Sequence, residues 1–356
     1  MSSIILEVNL KNIKYNFNKL KKISNNKKSS AVVKSNAYGL GIKKIYKTLF
    51  QSGCRDFFVA TLNESIKLRK FNSKINIYVL NGIKKNEINL FVRKKIIPVI
   101  NNINELNYIL DSKKNINVCL HYDTGMNRLG MNYGEIKRNI EKIRNSNIYI
   151  KYIISHLVSA ELVHKKINTI QLNKFIKIRN LFKNTKLSLA NSSGVFLSSK
   201  YHFDLIRPGI SLYGGYGNKI IKKHIKNVVK LKSKIIQIKK INKNQTIGYN
   251  QKFRSKKDMK IATIEIGYGD GIPRLLSNKC YVYYRNKKLK ILGNISMDTL
   301  VIDLTNIKNT IKIGDYVEII NQKNDIEIIA KIAKTVSQNI LTSLSSKERI
   351  QIKYIE

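Results

Sequence analysis

The sequence predicts an α/β fold: a (β/α)8 barrel of TIM type followed by a mainly β C-terminal domain. Three observations carry that expectation. Between residues 30 and 215, short apolar, β-branched runs alternate with longer amphipathic stretches. That is the pattern of parallel strands buried on both faces and joined by right-handed helical crossovers. Eight such runs can be counted, enough to close a barrel with its chemistry at the strand C-terminal ends. After about residue 230 the texture changes to strands joined by short turns, with little helical pattern until IIAKIAKTV. The expected division is 1–230 for the barrel and 231–356 for the β domain.

In chain order, the opening run IILEVNL (4–10) leads into a helical NIKYNFNKLKK and can pair with either domain. Barrel strands are expected at 30–36 (SAVVKSN), 57–62 (FFVATL), 75–80 (INIYVL) and 96–100 (IIPVI). They continue at 116–123 (INVCLHYD), 148–157 (IYIKYIISHL), 186–193 (KLSLANSS) and 203–210 (FDLIRPGI). Stretches such as ESIKLRKF and NTIQLNKFIKIRNLF supply the intervening helices. LKSKIIQIKKI, KIATIEIGYGDGI, CYVYYRNKKLKILG, DTLVIDL and GDYVEII read as strands of the second domain. No low-complexity linker separates the halves, so a shared interface is expected.

Composition narrows the function classes. The 356 residues carry 67 Lys+Arg against 22 Asp+Glu, a formal net charge of +45, and are 43% hydrophobic, enough for a sizeable core. The lysines are spread through every segment beside abundant Asn and Ile, residues that AT-rich codons spell. There is no basic block interleaved with stacking aromatics and no helix-turn-helix or zinc-finger spacing, so a nucleic-acid partner is not expected despite the charge. No apolar run approaches the roughly 18 residues of a membrane span, and MSSIILEVNLKNIKYN has no secretory signal pattern; a cytoplasmic protein is expected. Cys54, Cys119 and Cys280 are scattered, with no metal-ligand spacing and no disulfide framework, and no metal is expected.

Chemistry-bearing residues gather just after strands. Lys34 ends a buried apolar strand, where desolvation lowers an amine's pKa and prepares it for Schiff-base chemistry. Arg128 lies in HYDTGMNRLGM, His156 in ISHLVSAE, Asn191 and Ser192 in ANSSG, and Arg207 with Gly209 in RPGISLYG. Each alone has a structural explanation; together, in phase around one barrel mouth, they read as a site. The Gly-containing turns after the seventh and eighth strands suit a phosphate, which backbone N–H groups would face.

AVVKSNAYGLG, DTGMNRLGM, NSSG, RPGISLYG, IGYGDG and GNISMDTLVID, in this order, resemble the motifs of the alanine racemase family, and the resemblance runs essentially end to end. It implies a pyridoxal 5'-phosphate enzyme that interconverts L- and D-alanine, supplies D-alanine for peptidoglycan and works as a homodimer with shared active sites. By that resemblance Lys34 would hold the cofactor covalently. Tyr38, Ser192, Gly209 and Ile210 would bind its phosphate, Arg207 would face the ring nitrogen, and His156 would lie against the ring. Arg128 would bind near the substrate carboxylate. Tyr249 in TIGYN would be the catalytic base opposite Lys34. Tyr268, Met297 and Asp298 would form a narrow entrance, contributed like Tyr249 by the other subunit. Two bases on opposite faces suit a racemisation, in which the α-proton leaves one face and returns to the other. A tyrosine ordinarily loses its proton only near pH 10, so help from His156 and Arg207 is expected.

Three departures stand out. The family often carries a carbamylated lysine where this chain has His121, so no carbamate can form there and Arg128 needs another support. Asn250 replaces the glycine after the catalytic tyrosine, and 342–356 (TSLSSKERIQIKYIE) departs from the family's ending, leaving Tyr354 unassigned to the phosphate. Two rival activities share the scaffold: a racemase of broader specificity, and a decarboxylase, which would need a cysteine base; Cys280 is the second domain's cysteine and lies in strand-like sequence.

Overall fold

The computed structural model describes residues 3–307, 311–344 and 348–356; within the unusual ending, 345–347 lie outside the described residues. Ala31–Val32, Asp56–Val59, Asn76–Val79, Ile97–Ile100, Ile116–His121, Ile148–Ile154 and Leu187–Ser188 form a parallel ladder in chain order. Leu205–Ile206 closes the ring. It pairs in parallel with Lys28–Ser29 on one side, while Asp204 N donates to Leu187 O and Arg207 N to Ala190 O on the other.

Several strands are shorter than the apolar runs that announced them. The first splits at Ser30, whose N–H and hydroxyl both donate to Ile206 O. The last two shrink to two residues each because side chains replace ladder partners: Ser188 Oγ donates to Leu205 O, and Asp204 Oδ2 accepts from Leu187 N. The barrel lumen is filled by Phe58, Tyr78, Val99, Cys119, Tyr152 and Leu205, with Phe58 stacked on Tyr78 at 4.4 Å. At the N-terminal end Asp56 accepts from Tyr78 Oη at 2.7 Å and pairs with Lys28 at 2.9 Å. A lumen filled in this way leaves the opposite, C-terminal mouth for a site.

The second unit is an eight-stranded sheet in the order Met259–Ile264, Leu300–Asp303, Lys287–Leu292, Tyr281–Tyr284, Tyr316–Ile320, Val229–Ile241, Ile4–Asn9, Ile350–Ile355. The long strand Val229–Ile241 also pairs with Met259–Ile264 through its second half, across a register shift at Ile235/Gln237. Ile4–Asn9, with four of its six residues buried, is antiparallel to Val229–Ile241 and parallel to Ile350–Ile355, so the opening run joins this sheet. Its helix, Leu10–Ile23, then crosses to the barrel and buries Ile13, Phe17 and Leu20. Helix Ile326–Ile332 matches IIAKIAKTV, and a further helix, Ser337–Leu344, was not expected. Its polar text hides the apolar face, but Ile340, Leu341 and Leu344 are buried along one side.

Candidate active site

The strand ends open into a cavity of about 710 Å³ lined by Lys34, Tyr38, His121, Arg128, His156, Ser192, Arg207, Gly209 and Ile210, among others. Lys34 follows the buried Val33, and its ammonium is held below the usual lysine range by burial first and by the Arg128 charge second, against an opposing pull from Glu64. The neutral amine is the form that condenses with a carbonyl, and a lowered pKa brings that form closer.

The backbone after Lys34 is unusual. Ser35, Asn36, Ala37 and Tyr38 all have φ between 53° and 57°, a left-handed turn that costs non-glycine residues about 1–2 kcal/mol each. Neighbours hold it in place. Glu64 accepts from Ser35 N at 2.6 Å and from Ala60 N at 2.7 Å, and Asn36 Oδ1 accepts from Ile42 N at 2.9 Å. Tyr354 Oη donates to Leu40 O at 3.0 Å and lies against Gly41, so this tyrosine fastens the end of the turn. Strain fixed by surrounding contacts is the usual sign of an imposed geometry; here it aims Lys34 and Tyr38 into one cavity.

Opposite them, Ser192 Oγ accepts from Gly209 N at 2.9 Å and from Ser211 N at 3.3 Å. A Cβ on Gly209 would lie 2.5 Å from Tyr38 Oη, so the missing side chain is what lets this hydroxyl reach the turn. The Ser211 hydroxyl is buried with no partner among the described residues. Small residues, backbone N–H groups and hydroxyls converging in this way form an anion cradle.

Arg207 is 5% exposed and no carboxylate pairs with it among the described residues. It donates to Ser188 O at 2.8 Å, to Ser188 Oγ and to Ser155 O. Burial pushes its pKa down to about 10, which still leaves it a cation and a donor at neutral pH. Next to it, His156 is pushed down to about 3 by burial first and then by the Arg207 and Arg128 charges, so its imidazole is neutral. Gln171 carries the loop that holds it: Nε2 donates to His156 O at 2.9 Å and to Thr124 Oγ1 at 3.1 Å, and Oε1 accepts from Val158 N at 3.0 Å.

Arg128 sits in the loop after the strand Ile116–His121. Asp123 ties that loop by accepting from Gly125, Met126 and Asn127 N–H groups at 2.9, 2.8 and 2.9 Å. The arginine is exposed at the cavity wall.

Four expected site residues lie outside this cavity within one chain. Tyr249 is 66% exposed, Met297 62% and Tyr268 42%, and Asp298 is exposed too. They nonetheless belong to one rim. Asn294 Nδ2 donates to Tyr249 O at 3.0 Å, Tyr268 N to Ser296 O at 3.0 Å, and Gly269 N to Met297 O at 2.6 Å. A Cβ at Gly267 would strike Ser296 O at 2.3 Å, so glycine there is what brings the two loops together. Cys280, by contrast, is buried against Asn324 and lines no part of the cavity.

Some functional neighbours were not read from the sequence. Glu64 had a signal, the T-x-x-E capping box of Thr61 and Glu64 ahead of ESIKLRKF, though nothing local says that its carboxylate also reaches Ser35. Asn101, Gln171 and the cavity-lining Gln338 and Thr342 come from distant segments and had none.

The arrangement fits pyridoxal phosphate on its own terms. The cradle that a Cβ on Gly209 would fill, with Ser192 and Tyr38 beside it, suits a phosphate, the unpaired buried Arg207 suits a neutral ring acceptor, and Lys34 suits a covalent attachment. Among the described residues no three His, Cys, Asp or Glu side chains are placed to hold a metal ion, and no helix is long and apolar enough to cross a membrane.

Comparison with known proteins agrees with this geometry. The family model "Alanine racemase, N-terminal domain" matches residues 8–217 and "Alanine racemase, C-terminal domain" matches 228–354. The chain is 41% identical to an alanine racemase of Rickettsia bellii over 89% of its own length and 79% of the relative's, and 38% identical to that of Rickettsia africae over 100% of both. A crystal structure of alanine racemase from Bartonella henselae with covalently bound pyridoxal phosphate superposes with a TM-score of 0.93 at 35% identity, covering 100% of both chains. The biosynthetic alanine racemase of Pseudomonas aeruginosa gives 0.94 at 26%, also over 100% of both. A barrel-mouth lysine facing an anion cradle and a buried, unpaired arginine, on a fold and sequence shared with these enzymes from end to end, makes the chain a member of the alanine racemase family.

Proposed function

We propose that the chain, a racemase of alanine, moves the α-proton between two bases drawn from two copies of itself, with pyridoxal phosphate as cofactor in the cytoplasm, and so supplies D-alanine for peptidoglycan. Lys34 holds the cofactor covalently. Tyr38, Ser192, Gly209 and Ile210 bind its phosphate, His156 supports the ring and Arg207 donates to the ring nitrogen. When bound, the cofactor supplies the electron sink that makes the α-proton of alanine acidic. Because arginine keeps its proton, Arg207 would offer the ring nitrogen a hydrogen bond without giving up a proton. Lys34 Nζ would accept or return the α-proton on one face. Tyr249 Oη does so on the other, and Arg128 binds the substrate carboxylate. Tyr268, Met297 and Asp298 narrow the entrance to small side chains.

The observation that carries the shared site is the separation of the two bases. Lys34 lines the cavity, while Tyr249 stands 66% exposed on a rim outside it, beside the equally exposed Met297. A two-fold pair of chains, each lending its rim to the other's cavity, completes both sites at once. The test mixes Lys34→Ala with Tyr249→Phe, each nearly inactive alone. Random reassociation makes about half the dimers mixed, each with one site free of lesions, so roughly a quarter of wild-type activity returns. If verified subunit exchange restores nothing, the two bases belong to one chain and the shared-site reading is wrong.

A further inference from the structure

The rim turn 267–271 carries Tyr268 but has little in its own sequence to fix it. Glycines stand at 267, 269 and 271, and a turn so rich in glycine has weak backbone preferences. Asp270 closes it on itself: Oδ2 accepts from Gly267 N at 3.0 Å, and Asp270 N donates to Gly267 O at 3.1 Å. The same oxygen of this buried residue lies 3.2 Å from Arg349 Nη1. Arg349 Nη2 is 3.7 Å from Glu265 Oε1, just ahead of the turn.

Arg349 belongs to the ending that departs from the family, one residue before the strand Ile350–Ile355. That strand pairs with Ile4–Asn9, whereas the turn follows Met259–Ile264, which pairs with Val229–Ile241 and Leu300–Asp303. The arginine thus ties together two places that no ladder joins. A buried carboxylate needs a cation or several donors to offset its lost hydration. Among the described residues the Asp270 carboxylate has Gly267 N and Arg349, so without the arginine one donor is left to hold it. Any shift of the turn passes on to both rim loops, because Tyr268 N donates to Ser296 O and Gly269 N to Met297 O. Behind the turn stands the helix Ser337–Leu344: a Cβ on Gly271 would lie 2.3 Å from Ser343 O.

We infer that Arg349 is a positioning residue for the entrance: through Asp270 it fixes where Tyr268 and Met297 stand, and so how large a side chain the neighbouring copy's cavity admits. The inference rests on the shared-site reading and deepens it by naming what sets the size limit. Arg349 is not among the residues lining its own chain's cavity, but Gln338 and Thr342 of the helix behind the turn are. An effect within one chain is therefore the alternative to be separated.

The probe is L-2-aminobutyrate, alanine with one more methylene, racemised by the holoenzyme and followed by polarimetry. A single methylene against a fixed wall shifts kcat/KM by at least about tenfold, so Arg349→Ala should lower the preference for alanine by about that factor. Asp270→Asn, which keeps an acceptor for Gly267 N but removes the charge, should do the same. Mixed dimers locate the effect. Lys34→Ala/Arg349→Ala mixed with Tyr249→Phe leaves one working site, whose rim comes from the chain without Arg349; its preference should fall. Lys34→Ala mixed with Tyr249→Phe/Arg349→Ala leaves one working site whose cavity chain lacks Arg349 but whose rim is intact; its preference should match wild type. A fall in both mixtures would place the effect within one chain, and a fall in neither would show no effect on the entrance; each overturns the inference. If the control mixture, Lys34→Ala with Tyr249→Phe, restores no activity, the shared-site reading itself fails and takes the inference with it. Should Arg349→Ala not fold, Asp270→Asn takes its place in both mixtures.

Discussion

Gly209→Ala tests the anion cradle directly. The added Cβ would lie 2.5 Å from Tyr38 Oη, 3.3 Å from Tyr38 Cζ and 3.4 Å from Val32 Cβ. Reaching an ordinary contact distance requires Tyr38 to retreat by about 1 Å. The ring has little room: it is 8% exposed and lies 4.7 Å from the ring of Tyr213, whose own hydroxyl donates to Val32 O. Overpacking of this kind costs about 1–3 kcal/mol. With an unfolding entropy of about 2.1 cal/mol/K per residue, a chain of 356 residues loses roughly 1.3 °C per kcal/mol, so the melting temperature should fall by about 1–4 °C. Displacing one hydroxyl from a bound phosphate should weaken the cofactor about tenfold or more, measured by titrating apoprotein with pyridoxal phosphate. Adding Tyr38→Phe removes the clashing oxygen and should return most of the lost melting temperature without restoring the affinity. If Gly209→Ala melts within a degree of wild type and binds the cofactor within twofold, Tyr38 and Gly209 do not form the cradle.

Two further outcomes are expected. Glu64→Gln replaces a carboxylate that accepts from both Ser35 N and Ala60 N, and should cost about 1–2 kcal/mol in denaturant unfolding and loosen cofactor retention, given the value of hydrogen bonds to charged groups and the partial exposure of this one; unchanged retention would mean that the left-handed turn holds itself. Stability should also fall on acidification: His156 and His121 titrate near 3 and 4 when folded but near 6.5 when unfolded, so only the unfolded chain takes up their protons between about pH 6.5 and 4. Each removes at most about 1.4 kcal/mol per pH unit across that window. His156→Gln should flatten the stability profile below pH 6.5 and leave the slope above it alone; an unchanged acid slope would show that His156 is not kept neutral by the fold.

Local chemistry in the sequence determined much of this protein. Strand-length apolar runs separated by amphipathic stretches announced the barrel, because strands buried on both faces have no polar positions to spare. Polar residues just beyond those runs, Lys34, His156, Ser192, Arg207 and Gly209, announced the cavity that the structure shows them lining. Spacing could not decide which distant segments would meet. Ile4–Asn9 was undecided between two sheets because edge hydrogen bonds look alike from inside a strand; its two neighbours lie more than 200 residues downstream, in Val229–Ile241 and Ile350–Ile355. The strand ends were overestimated where Ser188 and Asp204 side chains bond to backbone in place of the ladder. Left-handed φ values at Ser35, Asn36, Ala37 and Tyr38 contradict every local propensity. They exist because Glu64, Tyr354 and the Tyr213 ring fix them from outside. Only the tertiary structure could hand Asn101 to His121, since the direction of its amide depends on the Leu80 carbonyl past the neighbouring strand as well as on Val99 in its own. A residue's type can be read where it stands, but the partner that fixes its tautomer, rotamer or backbone angle is supplied by whatever the fold carries there.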